Sequence, residues 1–241
     1  MNPLIAQLRA ELQLVLRNGE QILLTLGIPV LLLVFFGTVD VLPIDIDETA
    51  DFLLPGILSL AIMSTSMVSL GIATGFERSY QVLKRLGATP LGRARLVIAK
   101  IATVFVVEVI QLAVLIPIGL ALGWRPEGAL WPAAIAVILA GTSAFAGLGL
   151  IMAGRLRGEI NLAAQNGLYL LFLLLGGMII PLEELPGPLE TVGRILPSGA
   201  LADLMQETLN QSGNNPGLSV IVLASWAIAT PLVASRVFRW S

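Results

Sequence analysis

Cysteine and histidine are both missing from the 241 residues. Their absence excludes disulfides, thiol nucleophiles, Cys/His zinc sites, haem held by His or Cys, and histidine as a general base. Charge is scarce too. Only 12% of residues are charged, and Lys+Arg 14 nearly balances Asp+Glu 16, so no overall basic field points to nucleic acid. What fills the chain instead is apolar: 56% of residues are hydrophobic and the mean hydropathy is +0.89. That is the composition of a membrane protein.

A bilayer core about 30 Å thick takes roughly 20 mainly apolar residues per helix, because lipid offers the backbone no partner but itself. Windows with almost no charge run over Ile22–Val39, Phe52–Phe76, Ile101–Trp124, Gly128–Gly154, Ile160–Leu182 and Leu218–Ser235. They predict an all-α membrane protein with six transmembrane helices in a single domain, 1–241. Cytoplasmic loops retain Lys and Arg. With six crossings, all of these except Arg125 and Arg194 fall on the side of the termini, so both termini are expected to be cytoplasmic. Asp40, Asp45, Asp47, Glu48 and Asp51 then lie in the first outer loop, and Glu183, Glu184, Glu190, Asp203 and Glu207 in the last. The first apolar run starts late and exceeds the 7–15 residues of a signal-peptide core, so the first helix is expected to be retained.

Before that helix, Ile5, Leu8, Leu12 and Val15 recur at helical spacing, while Gln7, Arg9, Glu11, Gln13 and Arg17 face away. With Asn2 as cap and Pro3 at the first helical position, residues 1–20 read as an amphipathic interfacial helix on the inner leaflet, or as a continuation into the first span. The inner loop 77–95 is basic. In it Tyr80, Leu83 and Leu86 form an apolar ridge flanked by Arg78, Lys84 and Arg85, ending near Gly87 and Pro90. Such a helix either binds anionic headgroups or docks a cytoplasmic motor. The longest outer segment runs from Pro181 to Gly217. Pro181, Pro186, Pro188 and Pro197 punctuate it into half-helices that can dip back into the membrane.

Chemistry-bearing motifs are few. Gly87-Ala88-Thr89-Pro90-Leu91-Gly92-Arg93-Ala94 has the glycine spacing of a Walker A loop but lacks its Lys and its Ser/Thr. If ATP drives this protein, another chain binds it. Glu183-Glu184 has no histidine to hold a metal, and Ser64, Ser66, Ser69 and Ser143 have none as a base, which leaves lysine as the alternative base. No catalytic or metal-binding residue is assigned. Glu108 is the sharpest single residue, and its helix carries enough Ile, Leu, Val and Phe, at roughly −0.45 kcal/mol each, to insert despite about +3 for the acid. Lys100, Val104, Glu108 and Gln111 share one face. Glu108 and Gln111 therefore face a substrate path, or else Glu108 is a structural carboxyl tied to Gln111 or to a neighbouring helix. In the fourth span Ala140 and Ala144, Ser143 and Gly147, and Gly149 and Ala153 permit close helix approach, within the bundle or at a subunit interface.

Leu54-Pro55-Gly56, Glu77-Arg78, the stretch from Leu83 through Ala88-Thr89-Pro90-Leu91 to Lys100, Gly177, Pro181, Leu185-Pro186, Ile195-Leu196-Pro197 and the tail Phe238-Arg239-Trp240 resemble one family across nearly the whole chain. It is the ABC-2 type membrane subunits of ABC exporters, in particular the bacterial drug-efflux permeases of the daunorubicin type. Ser198-Gly199-Ala200 departs from it, where relatives often have bulkier residues. The resemblance implies a permease subunit, not an enzyme, that exports an amphiphilic drug or lipid-like substrate from the bacterial cytoplasmic membrane. It implies two six-span subunits, identical or paralogous, and two copies of a cytoplasmic ABC ATPase subunit that binds ATP and Mg; no cofactor belongs to this chain. Glu77, Arg78, Tyr80, Leu83, Lys84, Arg85 and Leu86 would form the coupling helix, and residues 3–20 the connecting helix. Residues 182–217 would hold extracellular re-entrant helices, with Pro181, Pro186 and Pro197 at the exit gate. Membrane lipid is the other expected partner; nucleic acid is not. The competing readings are a proton-coupled secondary transporter or channel using Glu108, and an intramembrane enzyme.

Overall fold

The computed structural model describes residues 3–39, 49–87, 92–126, 128–211 and 216–237, and no strand occurs among them. Asn2, the acids Asp40, Asp45, Asp47 and Glu48, the segment 88–91 and the tail 238–240 lie outside the described residues. Helix α1 spans Pro3–Arg17, and α2 spans Gly19–Thr38. Next come α3, Thr49–Met63, a π-helical turn, Ser64–Ser69, and α4, Leu70–Ser79, which together make one rod. A short α5, Val82–Gly87, precedes α6, Arg93–Ala121, and α7, Trp131–Ala153. Helix α8 is Gly158–Leu175, α9 Gly187–Ile195, α10 Pro197–Asn210 and α11 Gly217–Val237.

Each of the six apolar windows falls on a helix, but the helices are unequal. Four stretches, Ala50–Ser79, Arg95–Ala121, Trp131–Ala153 and Gly217–Val237, are long and apolar enough to cross a bilayer. The apolar part of α2 is shorter, Thr25–Thr38. Helix α8 carries Asn161, Gln165 and Asn166 in its first half, and it ends at Leu175 rather than at Leu182. Gly176-Gly177 follow there, with Gly177 at φ 64°, a conformation that stops a helix.

The rod α3–α4 is the buried centre. Leu53, Leu54, Ile57, Leu60 and Met63 meet Phe145, Phe172, Leu201 and Met205 around it. At Gly56 the rod comes so close to the chain after α8 that a Cβ would stand 2.0 Å from the Met178 carbonyl oxygen. Ser143, Gly147 and Gly149 of α7 also serve packing inside the chain. A Cβ on Gly147 would strike Thr230 of α11, and one on Gly149 would strike the Met67 carbonyl oxygen in the π-helical turn.

Three proline positions account for much of the polar bonding between helices. A proline has no N–H, so it leaves the carbonyl four residues earlier without its helical donor. In α2 Pro29 frees the Thr25 carbonyl, which accepts from Gln111 Nε2 of α6 at 2.7 Å. In α3 Pro55 frees the Asp51 carbonyl, which accepts from Asn210 Nδ2 of α10. In α11 Pro231 frees the Ala227 carbonyl, which accepts from Ser143 Oγ of α7 at 2.9 Å. An unpaired backbone group is costly in a membrane, so these side chains both complete the broken ladders and fasten the helices together.

Candidate functional site

The polar interior is centred on α6. Lys100, Val104, Glu108 and Gln111 are all buried, as expected of a face turned into protein. Glu108 is 1% exposed, and its Oε2 accepts from Thr142 Oγ1 of α7 at 2.5 Å. Its other carboxylate oxygen makes no hydrogen bond. The partner of Glu108 is thus neither Gln111 nor lipid but the neighbouring helix.

Gln111 is buried and held between three helical elements. Its amide nitrogen is committed to the Thr25 carbonyl, and its oxygen accepts from Thr65 Oγ1 at 3.1 Å in the π-helical turn. The physical reason is Pro29, invisible at the level of α6 alone. A cavity of about 40 Å³ lies towards the basic end of the bundle, with Glu11, Thr25, Thr65, Ser69, Lys100 and Thr103 in its wall.

At that basic end the inner loop is not one amphipathic ridge. Helix α4 stops at Ser79, Gln81 takes φ 62°, and α5 begins anew at Val82. The break resets the periodicity. Tyr80 is 68% exposed, but Leu83 is fully buried against Leu70, Leu96 and Val97, so the expected ridge of Tyr80, Leu83 and Leu86 is dissolved. Leu86 is half-buried against the same cluster. Arg78 turns inward and donates to the Ala153 and Leu156 carbonyls at the end of α7, 3.2 and 3.4 Å away. Glu77 also turns inward, to Lys100. What faces outward is Tyr80, Val82, Lys84 and Arg85, an aromatic and basic surface.

Helix α1 departs from expectation in the same way. Leu8, Leu12 and Val15 are half-buried, but Ile5 is exposed, and Glu11, expected to face away, is buried against α6. Sequence periodicity places Glu11 on the polar face because Lys100, its partner, is about ninety residues away in the chain.

At the opposite end Pro181, Pro186 and Pro197 each open a new element: a 3-10 turn at Leu182–Glu184, α9 and α10. Pro197 is buried and Pro186 exposed. Pro181 alone borders a cavity of about 180 Å³, shared with Phe52, Gly177, Leu182, Asp203 and Gln206. Helix α10 lies buried across α3, α7 and α11. Gln206 Nε2 donates to the Phe52 carbonyl at 2.6 Å, and Trp124 Nε1 to Asn210 Oδ1 at 2.8 Å. On the rim, the hydrogen bonds that the Arg194 guanidinium donates to Glu190 raise it above its already high ordinary pKa.

Among the described residues no cluster of His, Cys, Asp or Glu could hold a metal. Four helices long and apolar enough to span a bilayer, packed about a buried rod, define a multi-pass membrane protein. The chain belongs to the ABC-2 type transporter family, whose pattern matches residues 3–209. It is also 27% identical over 249 residues to a protein of Bacillus subtilis (strain 168), "Putative transport permease YvfS", covering 99% of this chain and 98% of that one. The family is one of membrane transport subunits that partner with ABC ATPase subunits.

Proposed function

We propose that this chain is the membrane-spanning permease subunit of an ATP-driven exporter, moving an amphiphilic drug or lipid-like molecule. The observation that carries the reading is the isolated helix α5. Val82, Lys84 and Arg85 on its outward face, and Tyr80 just before it, stacked on Phe76, are exposed among the described residues, while Leu83 plugs it into the bundle. A cytoplasmic ATPase subunit docked there would move α5 on binding ATP and shift the bundle between inward-open and outward-open packings. In this arrangement six helices cross the bacterial cytoplasmic membrane, with both termini inside. Helices α9 and α10 form the outer re-entrant pair, and the cavity beside Pro181 lies on the exit side. Two such permeases, identical or paralogous, pair over two ATPase subunits that hold ATP and Mg.

Copurification tests this reading. A Walker-A-containing subunit is expected to come down with the chain, and Tyr80→Ala combined with Lys84→Glu and Arg85→Glu to release it. An active transporter that purifies alone would overturn it. A second reading, a proton-coupled transporter or channel, rests on Glu108, a buried carboxyl with one oxygen unpartnered. Uptake into vesicles that follows a pH gradient in the absence of any ATPase would select it.

A further inference from the structure

Three helices meet at a single buried cation. Lys100 of α6 is 2% exposed; its Nζ stands 3.0 Å from Glu11 Oε1 of α1 and 2.8 Å from Glu77 Oε2 at the base of α4. It also donates to Glu77 Oε1 at 2.9 Å, and Gln7 Nε2 donates to Glu11 Oε1 at 2.8 Å. A buried ion cluster is a poor source of stability, since its desolvation offsets its attraction, but it is intolerant of losing a member. Its use is to fix which groups stay together.

The surroundings sharpen this. Just beyond the cluster lies the cavity of about 40 Å³, walled by Glu11, Lys100, Thr25, Ser69 and Thr103. Val15, Leu70, Ala73, Val104 and Val107 complete its mainly apolar wall. Here α1 is therefore held to the bundle by charge, beside a void, rather than by close packing alone. Glu77 stands only a few residues ahead of α5, and Glu108 lies on the face of Lys100, about 12 Å further along α6 at 1.5 Å per residue.

We infer that Lys100 is a positioning residue for coupling: by holding Glu11 and Glu77 on one ammonium it makes α1, the base of α4 and α6 respond together when α5 is displaced. This rests on the proposed docking of an ATPase at α5. Displacement of α5 pulls Glu77. The ammonium carries that pull sideways to α1 and along α6 towards Glu108. Two carboxylates share one cation, so the cluster can redistribute its bonds during the movement without ever leaving Lys100 unpaired.

The test uses the intact permease–ATPase complex in lipid vesicles, reading ATP hydrolysis and transport together. Lys100→Met leaves the α5 surface intact, so the ATPase is expected to copurify and hydrolyse ATP, while transport per ATP falls about tenfold or more. Lys100→Arg, which keeps a cation between Glu11 and Glu77, is expected to retain most of the transport per ATP that Lys100→Met loses. A purely structural cluster would instead lower thermal stability and ATPase binding in step with transport. If Lys100→Met does not fold, Glu11→Gln, which leaves one ion pair with Glu77, is expected to lower transport per ATP while assembly persists. Transport per ATP unchanged in a folded Lys100→Met or Glu11→Gln complex overturns this inference alone. Failure of the unaltered chain to bind any ATPase overturns the parent reading and this one with it.

Discussion

Gln111→Leu removes a donor that Pro29 made necessary. In the native chain Gln111 Nε2 reaches the Thr25 carbonyl at 2.7 Å, and that carbonyl is free because residue 29 has no N–H. Leucine is close to glutamine in volume, so little cavity forms. The cost is that of a buried carbonyl left without a donor, about 1–3 kcal/mol. Measured bonds between membrane helices average about 0.6 kcal/mol and reach roughly 1.7, which places the expected loss near 1–2 kcal/mol. Pro29→Ala restores the missing N–H within α2, so in that background Gln111→Leu should cost only the acceptor that Thr65 Oγ1 loses. The assay is a double-mutant cycle of thermal inactivation in detergent, read against a common reference. An interaction energy of at least about 1 kcal/mol between positions 29 and 111 is expected. Additive effects would refute the claim that Gln111 exists to complete the α2 ladder.

Other outcomes follow from the same geometry. Leu83→Ala empties a fully buried position and should cost about 2–5 kcal/mol of stability, whereas Tyr80→Ala should weaken ATPase binding at unchanged stability; thermal melts beside copurification separate the two. Gly56→Ala sets a methyl 2.0 Å from the Met178 carbonyl oxygen, an overpacking worth about 1–3 kcal/mol, while Gly167→Ala, with nothing within 4 Å, should be neutral or stabilising. Equal inactivation temperatures for these two variants would contradict the packing. Thr142→Val and Glu108→Gln should both alter transport kinetics with assembly intact if Glu108 works on the path; unchanged kinetics in both would leave the carboxyl a packing group. Glu190→Ala, at an exposed pair with Arg194, should change stability by less than about 1 kcal/mol at any salt concentration.

Much of this protein is legible without coordinates. A chain so apolar and so poor in charge, in apolar runs of roughly 20 residues, satisfies its backbone as helices within a bilayer, and each of the six windows falls on helix. The inward direction of Lys100, Val104, Glu108 and Gln111 follows from spacing alone, since 3.6 residues per turn puts them on one face. Missing histidine and cysteine close off imidazole and thiol chemistry. The small residues of the fourth window reappear where α7 meets α11 and the π-helical turn.

Partners could not be read in this way. Helical periodicity is local, whereas the contacts that give polar residues their roles join positions far apart: Glu11 with Lys100, Thr25 with Gln111, Asp51 with Asn210, Glu108 with Thr142. A carboxylate on the outer face of a lone amphipathic helix and one buried against a lysine look identical in a sequence. Only packing distinguishes them, because the energy of a buried charge depends on what stands within a few ångströms of it. The break at Gln81 shows the same limit at short range: one residue at positive φ turned Leu83 inward and left Tyr80 outside. Composition and periodicity thus determined that this chain is a helical membrane bundle. Which polar side chains serve as ties, and which remain on the surface to meet a partner, was decided by the tertiary arrangement of the helices.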